Sequence, residues 1–404
     1  MVNRRRTAAS TAPAASTAFV CALALACMQI PLFADISPSA RIEAQTTLPS
    51  LSGDGIADFV GIARISLDSS KNDAVKGKVS FAIAEGVASA ITLEQAWLRT
   101  RFPWFTENSS LRLTAGKAPV SWGRGFLFNA ADPVFGAVPA IDSFGSGEYR
   151  TATDWLAGAY VPFGDFSFAE LLLMPGNSVV TTTGTTKSAA GGVRIFATPA
   201  LGVLHSIEIN YLAREPVQSS TTDSGSGIAS GNASGSAHTL SLCADGSLYF
   251  DWYAAASVAV PHNALSDFPP EAADAKPLIS AGLFKLFAPP LIQSLSLRVE
   301  GLFAPESFER TGNSTIGVYG SIQAALSDLW SVAVQGNTMR TTPGGDTEET
   351  ASADSKAALT ARFTPIKGFT VSASVSASVI AAESPFRRFI NNGFFWTFGF
   401  TAAF

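Results

Sequence analysis

The charges best placed to act on a passing solute lie in one irregular stretch of the chain, residues 117–153. A glycine stands on each side of Arg124, and glycines permit the sharp backbone turns that would present this guanidinium. If the stretch folds into a water-filled lumen, opposed charges would create a transverse field that filters small polar solutes. The alternative is an ordinary surface loop with Trp122 and Phe126 at a membrane interface. The candidate constriction residues are Arg124, Asp132, Asp142, Glu148 and Arg150.

Residues suited to catalysis or metal binding are sparse. The three histidines, His205, His238 and His262, stand apart and form no His-x-x-x-His or Glu-His pattern, so the sequence predicts no metal site. Cys243 is the single cysteine beyond the first 27 residues, which argues against disulfides and Cys-based metal centres. A Ser-His-Asp group assembled from distant strands stays open. The leading expectation is a protein that is not an enzyme and has no cofactor.

Alternation of apolar and polar residues runs through most of the chain and predicts β-strands. Between residues 295 and 300, the odd positions are aliphatic and the even positions are Ser, Arg and Glu. An Arg on the lipid side at the membrane midplane costs about 2 to 4 kcal/mol, so charged faces of spanning strands should line a lumen. A soluble barrel with its charged face in water is the alternative. Six charged residues are predicted to face the lumen: Arg112, Arg194, Glu208, Arg298, Glu300 and Arg362.

The chain ends in the most aromatic of these alternating segments. From Phe394 to Phe404 every second residue is apolar, while the positions between them after Phe395 are Thr, Gly, Thr and Ala. In a soluble protein such an edge would invite aggregation. The segment resembles the last strand of bacterial outer-membrane β-barrels, where the terminal aromatic residue belongs to a signal read by the barrel-assembly machinery. The resemblance implies an assembly signal at Trp396, Phe398, Phe400 and Phe404.

A second resemblance covers residues 93–132. Here a predicted strand ends in Gly116-Lys117 and leads into Trp122-Gly123-Arg124-Gly125, followed by Asn129 and Asp132. This order is similar to that of a group of bacterial outer-membrane barrels that includes alginate-export-like porins. The resemblance implies a porin-like barrel and carries no substrate preference to this chain.

The predicted fold is an all-β transmembrane antiparallel barrel over residues 35–404. Beyond the N-terminal segment no apolar run is long enough for a spanning helix, although 47% of the chain is hydrophobic. Counting segments gives about 16 strands, within a range of 14 to 18, because single-chain bacterial barrels have even numbers. Tight links such as Asp245-Gly246 alternate with long polar stretches such as 216–236. A plug formed by residues 36–54 would favour a transporter of hydrophobic compounds.

The N-terminus has the features of a secretory signal peptide, residues 1–34. Three arginines precede an apolar run over residues 19–33, and cleavage after Ala34 would leave Asp35 as the mature N-terminus, although Leu32 is larger than the small residue usually preferred two places before Ala34. A loose lipoprotein pattern ending at Cys27 is the alternative. Removal of the signal leaves 24 basic and 32 acidic residues, a net charge of −8, which argues against a nucleic-acid partner.

Together these patterns predict a porin-like channel in the cell outer membrane, through which small polar solutes diffuse passively. The alternatives are an adhesin-like surface barrel with a closed lumen and a hydrophobic-compound transporter. The expected partners are outer-membrane lipid, the barrel-assembly machinery and the solutes themselves. Both a monomer and a homo-oligomer remain open.

Overall fold

A computed structural model of the chain shows 18 antiparallel β-strands joined in one closed sheet. The structure describes residues 37–49, 58–69, 75–85, 90–104, 106–138, 150, 152–164, 166–175, 189–199, 201–215, 237–261, 275–305, 314–342, 352–379 and 393–403. The predicted signal peptide, residues 1–34, lies outside the described part of the chain.

In chain order the strands are β1 (Ser37–Pro49), β2 (Asp58–Ser69), β3 (Val75–Glu85), β4 (Ala90–Trp104), β5 (Thr106–Pro119), β6 (Thr153–Pro162), β7 (Phe168–Met174), β8 (Ala190–Ala197), β9 (Leu204–Arg214), β10 (Ala237–Ser247), β11 (Asp251–Pro261), β12 (Lys276–Phe287), β13 (Ser294–Ala304), β14 (Ser314–Ala325), β15 (Trp330–Thr342), β16 (Ser352–Ile366), β17 (Phe369–Val379) and β18 (Gly393–Ala403).

Each strand pairs with the next along the chain, and β18 pairs with β1 to close the barrel. The all-β barrel class is confirmed, and the strand count lies at the upper end of the predicted range. In β1, Glu43 lies opposite Ile62 of β2 and Thr401 of β18. Residues 37–49 are therefore part of the wall and do not form the plug considered from sequence.

The two faces of the sheet differ sharply in chemistry. In β18, the side chains of Phe394, Trp396, Phe398 and Phe400 are exposed on the outside. Large apolar side chains such as Leu240 and Leu283 are exposed on the same outer face of other strands. An apolar outer surface around a closed sheet is the architecture of a transmembrane barrel, in which every backbone group is paired. No helix long and apolar enough to cross a membrane occurs among the described residues.

The connections also differ between the two ends. The links that follow even-numbered strands are short, as at 163–167, 326–329 and 367–368, whereas those that follow odd-numbered strands are mostly longer. The predicted turn at Asp245-Gly246 is wrong, because both residues lie within β10 and the turn is at 248–250. Gly246 has a different role: a Cβ there would lie 2.0 Å from the carbonyl oxygen of Val203. The glycine permits a close approach to β9, where the pairing register shifts.

Candidate functional site

After β5 the chain turns into the barrel, and residues 120–138 lie inside it. We call these residues the lumen segment. Its backbone and side chains contact inward-facing side chains of strands from β5 to β15. The segment therefore covers one side of the interior over more than half of the wall.

The carboxylate of Glu300 on β13 holds the first turn of the lumen segment. It accepts hydrogen bonds from three successive backbone N–H groups, those of Phe126 at 2.8 Å, Leu127 at 2.7 Å and Phe128 at 3.0 Å. The Glu300 side chain is buried, and these three donors compensate its negative charge. Beside it, the guanidinium of Arg298 lies 3.8 Å from the centroid of the Phe126 ring.

A second carboxylate, on β9, holds the start of the segment. Glu208 is buried and accepts a hydrogen bond from the backbone N–H of Gly123. Its other oxygen lies 2.6 Å from a guanidinium nitrogen of Arg194 on β8. Arg194 also lies 3.5 Å from Glu170 on β7, and Glu170 accepts a hydrogen bond from the Trp122 indole N–H at 3.1 Å. These charges form a network that ties three wall strands to the segment.

Apolar packing also holds the lumen segment against the inner face of the wall. Trp122 is fully buried in a cluster with Leu156, Leu172 and Leu212, which project inward from β6, β7 and β9. Leu127 and Phe128 belong to a second cluster with Leu302, Tyr319 and Met339 from β13, β14 and β15. The lumen segment thus shields these inward-facing side chains of the wall from water in the lumen.

The path of the segment depends on two glycines and one asparagine. Gly123 and Gly125 have φ values of 74° and 146°, which side-chain-bearing residues rarely adopt. A Cβ on Gly125 would lie 2.0 Å from the carbonyl oxygen of Phe128. Asn129 is buried, donates to the carbonyl of Trp122 at 2.8 Å and accepts from the N–H of Ala131 at 3.1 Å. The run that suggested a sharp turn does form one.

Asp132 and Arg150 hold the end of the segment to itself. The Arg150 guanidinium donates to Asp132 at 3.0 Å and to the carbonyl oxygens of Leu127, Gly136 and Ala137. Asp132 also accepts from two backbone N–H groups, including that of Val134 at 3.0 Å. Burial raises the pKa of the Asp132 carboxyl and lowers the pKa of Arg150, while the charge of each opposes the other's shift. The pair is buried and does not face open solvent.

Of the five candidate constriction residues, Arg124 is the one placed in contact with lumen solvent among those that the structure describes. Its side chain is 51% exposed, and its Nε lies 3.2 Å from the carboxylate of Asp245 on β10. Asp142 and Glu148 lie outside the described residues. The five charges are therefore not brought together as one exposed ring within the described structure.

The wall that faces the lumen segment carries charges that remain partly exposed. We call strands β16–β18 and β1–β3 the open wall. Arg64 on β2 bonds Glu43 at 2.7 Å and Glu94 of β4 at 2.8 Å, and Arg41 lies 2.6 Å from Glu43. The predicted lumen residue Arg362 lies on β16 in this open wall, opposite Ser372 of β17. The charges of the open wall thus stay partly exposed, whereas Glu208 and Glu300 on the opposite wall are buried against the lumen segment.

Several wall residues that hold the segment were not singled out from the sequence. The carbonyl oxygen of Ala131 accepts from Asn210 and Ser241, both at 3.1 Å. Tyr253 donates to the carbonyl of Phe128 at 2.8 Å, and Ser280 accepts from the N–H of Ala130 at 2.9 Å. All four are polar residues on inward-facing positions of strands, so alternation could have flagged their orientation. Their partners could not be read from the sequence.

No group of three or more His, Cys, Asp or Glu side chains that could hold a metal ion occurs within the described ranges. The charged groups of the interior instead bond one another and the backbone of the lumen segment.

Solved structures with a similar fold come from Pseudomonas aeruginosa. OccK2 (OpdF) has a TM-score of 0.55 at 9% identity, covering 91% of this chain and 97% of that one. The outer membrane protein OprD has a TM-score of 0.54 at 10% identity, covering 92% and 94%. The fold is that of outer-membrane porins. OccD3 (OpdP) agrees, with a TM-score of 0.53 at 10% identity and 92% coverage of both chains.

Sequence comparisons give no closer relation. No family model matches the chain, and no curated protein matches it. The resemblance of residues 93–132 to alginate-export-like porins therefore stays an expectation, and the porin likeness rests on the fold.

Proposed function

We propose that this protein is a passive channel in the cell outer membrane for small polar solutes, and that it has no enzymatic activity. The observation that carries the proposal is the asymmetric interior. The lumen segment is anchored by Glu208 and Glu300 on one side, while Arg41, Arg64 and Glu43 stay partly exposed on the other.

The proposed passage runs between the lumen segment and the open wall. Solutes that leave bulk water need polar partners, and the charges and hydroxyls of the open wall supply them. Arg124 projects from the segment into the same space beside Asp245. This arrangement supports Arg124 as one edge of a constriction, with the Arg41–Glu43–Arg64 group on the other side.

Liposome swelling and planar-bilayer recording test this function. Purified, heat-modifiable protein should admit small sugars into liposomes and give discrete conductance steps in KCl. Liposomes made with heat-denatured protein serve as the control. A folded barrel that gives neither swelling nor conductance would contradict the channel and favour the adhesin-like alternative with a closed lumen.

The remaining parts of the proposal concern how the protein reaches the membrane. Residues 1–34 would direct secretion, and β18 with Phe404 would be recognised by the barrel-assembly machinery. The outward aromatic side chains of β18 support this role, because they lie exposed together on the outer face. Whether one barrel or several form the working unit is answered by crosslinking in native membranes.

A further inference from the structure

The end of the barrel with the short turns has an apolar surface between β8 and β13. Three successive links there contain no charged residue: 198–203, 248–250 and 288–293. Their tips are exposed, since Leu248 is 72% and Leu291 is 92% accessible. The next two short turns along the chain carry Asp328 and Lys367 instead. Contiguous apolar side chains exposed in this way mark a surface that contacts a partner or a membrane.

The three links are joined to one another and to the outer face of the wall. The backbone N–H of Ser247 donates to the carbonyl oxygen of Val203 at 3.2 Å, which ties the first link to the second. The ammonium of Lys285 on β12 donates to the carbonyl oxygen of Tyr249, and β12 leads into the third link. Lys285 lies two residues from Leu283, which is exposed on the outer face. We call the described residues of the three links the apolar ledge.

The height of the lipid-facing band places the apolar ledge at the membrane. On the outer face of β9 and β10, the side chains of Tyr211 and His238 are stacked, with Oη and Nδ1 2.7 Å apart. Tyrosines at this position mark a membrane interface. Leu248 lies ten residues beyond His238. At about 3.4 Å per residue and a tilt of about 40°, this distance is about 26 Å along the membrane normal, which matches an apolar band about 25 Å tall. The turn 248–250 therefore lies at the opposite edge of the band.

One cation lies among the aromatic rings of the ledge. The Nζ atom of Lys285 is 4.5 Å from the ring centroid of Tyr249 and 6.0 Å from that of Phe250. An ammonium has three N–H donors, and the Tyr249 carbonyl uses one of them. Asp251 shares its face of β11 with Tyr253, which reaches the lumen segment, so Asp251 faces away from this ammonium. A positive charge at the edge of an apolar band is complementary to a lipid phosphate.

We propose that the apolar ledge binds an anionic phospholipid of the periplasmic leaflet, with the lipid phosphate on Lys285. The acyl chains would lie against Trp252 and Leu283, which are opposite each other on the outer faces of β11 and β12. The ledge continues the surface that contacts lipid, and its single ammonium selects an anionic headgroup. The inference goes beyond the proposed channel and does not depend on it, because the site is on the outside of the barrel.

Retention of phosphatidylglycerol by the detergent-solubilised protein tests the headgroup site. In native mass spectrometry, the wild type should bind phosphatidylglycerol about fivefold more tightly than phosphatidylcholine, the size of effect that one basic residue has near an anionic lipid. Lys285→Gln should lose this preference, and Lys285→Arg should keep it. Lys367→Gln removes a charge from another turn at the same end and is the control. A wild type without the preference, a Lys285→Gln protein that keeps it, or an equal loss in Lys367→Gln would each overturn the site.

The depth of the turn tips tests insertion of the ledge. In a Cys243→Ala background, Leu248→Cys and the control Ser327→Cys are labelled with a fluorophore and reconstituted into phosphatidylglycerol–phosphatidylcholine liposomes. Brominated lipid should quench the label at position 248, and iodide present on both sides should quench the label at position 327. Iodide quenching of both labels would overturn the ledge in favour of a periplasmic protein partner. Shielding of position 248 from both quenchers would overturn it in favour of a second copy of the chain. Heat-modifiable migration checks that each variant is folded.

Discussion

Glu300 shows how one side chain fixes the position of a whole segment. A buried carboxylate is costly unless donors surround it, and here the donors are three consecutive backbone N–H groups. Those N–H groups in turn would be unsatisfied without the carboxylate. The carboxylate and the three N–H groups therefore satisfy one another, and the arrangement requires an acidic residue at this position of β13.

We predict that Glu300→Gln loosens the lumen segment. The amide keeps one acceptor oxygen but turns a donor toward backbone N–H groups, and the loss should cost about 1 to 3 kcal/mol. Single-channel recordings should show a larger and noisier conductance, and the temperature of heat modification should fall. Glu94→Gln, on a partly exposed pair with Arg64, is the control and should leave the current noise and the temperature of heat modification unchanged. Quiet, unchanged conductance in Glu300→Gln would show that apolar packing alone holds the segment.

Arg124 is the residue whose charge should be felt most directly by permeating ions. Arg124→Glu places a negative charge in the lumen beside Asp245 and should shift ion selectivity toward cations. The effect should be large at low salt and shrink at about 1 M, where the Debye length is about 3 Å. Reversal potentials across a KCl gradient measure it.

The control for Arg124 must carry the same charge change away from the lumen segment. Lys367 lies exposed in the turn 367–368, and Lys367→Glu should shift selectivity much less. Equal shifts from Arg124→Glu and Lys367→Glu would place Arg124 outside the ion path.

The sequence identified the charged candidates of this site, but it did not predict which of them would be exposed and which would be buried. Arg124 stood out because glycines flank it, and it is exposed beside Asp245. Asp132 and Arg150 were candidates of the same kind, yet they bond each other, and Arg150 also donates to backbone carbonyl oxygens. Which of these charges is buried depends on contacts between residues distant in the chain, such as Arg150 with Leu127, which no local pattern reveals.

At the scale of elements, the lumen segment depends on its glycines. We predict that Gly125→Ala destabilises the segment, because a Cβ would lie 2.0 Å from the Phe128 carbonyl oxygen at a φ of 146°. Such strain costs on the order of 1 to 3 kcal/mol. Conductance and heat modification should both change. Gly320→Ala, where nothing lies within 4 Å of the added Cβ, is the matched control. Similar behaviour of the two variants would contradict the strained turn.

The last strand should matter more for assembly than for the finished barrel. Deleting Phe404 should lower the yield of heat-modifiable barrel in cells while secretion continues, because the terminal aromatic residue is the expected recognition element. Phe404 itself lies outside the described residues, whereas Trp396, Phe398 and Phe400 are exposed on the outer face. Phe303→Ala, on the same face of β13, is the control. Normal folded yield without Phe404 would show that the terminal aromatic residue is not needed as an assembly signal.

Strands could be predicted where alternation is regular, because it is a local signal. Residues 295–300 and the chain end lie in β13 and β18. β1 was not counted, since Ser37–Pro49 mixes proline, charges and small residues without clean alternation. Its place is set by pairing with β2 and β18, which lie in different parts of the chain.

For the whole molecule, the two ends of the barrel should lie on opposite sides of the membrane. We predict that Cys introduced at Ser226, in a long link, reacts with an impermeant maleimide on intact cells. Cys introduced at Asp328, in the short turn 326–329, should react only after the outer membrane is opened. Ser226 lies outside the described residues, and Asp328 is exposed. The native Cys243 is buried and should contribute little background. The reverse labelling pattern would invert the topology.

The anchors of the lumen segment lie far along the chain from the residues that they hold. Glu208 is 85 residues beyond Gly123, and Glu300 is 173 residues beyond Leu127. Until β9 and β13 have joined the sheet, the segment has no acceptor for these backbone groups. A slip of one residue in either strand would turn its glutamate to the lipid side. Docking of the lumen segment therefore requires the correct register of β9 and β13. A barrel with a slipped strand would lack a carboxylate acceptor for the backbone N–H groups of the segment.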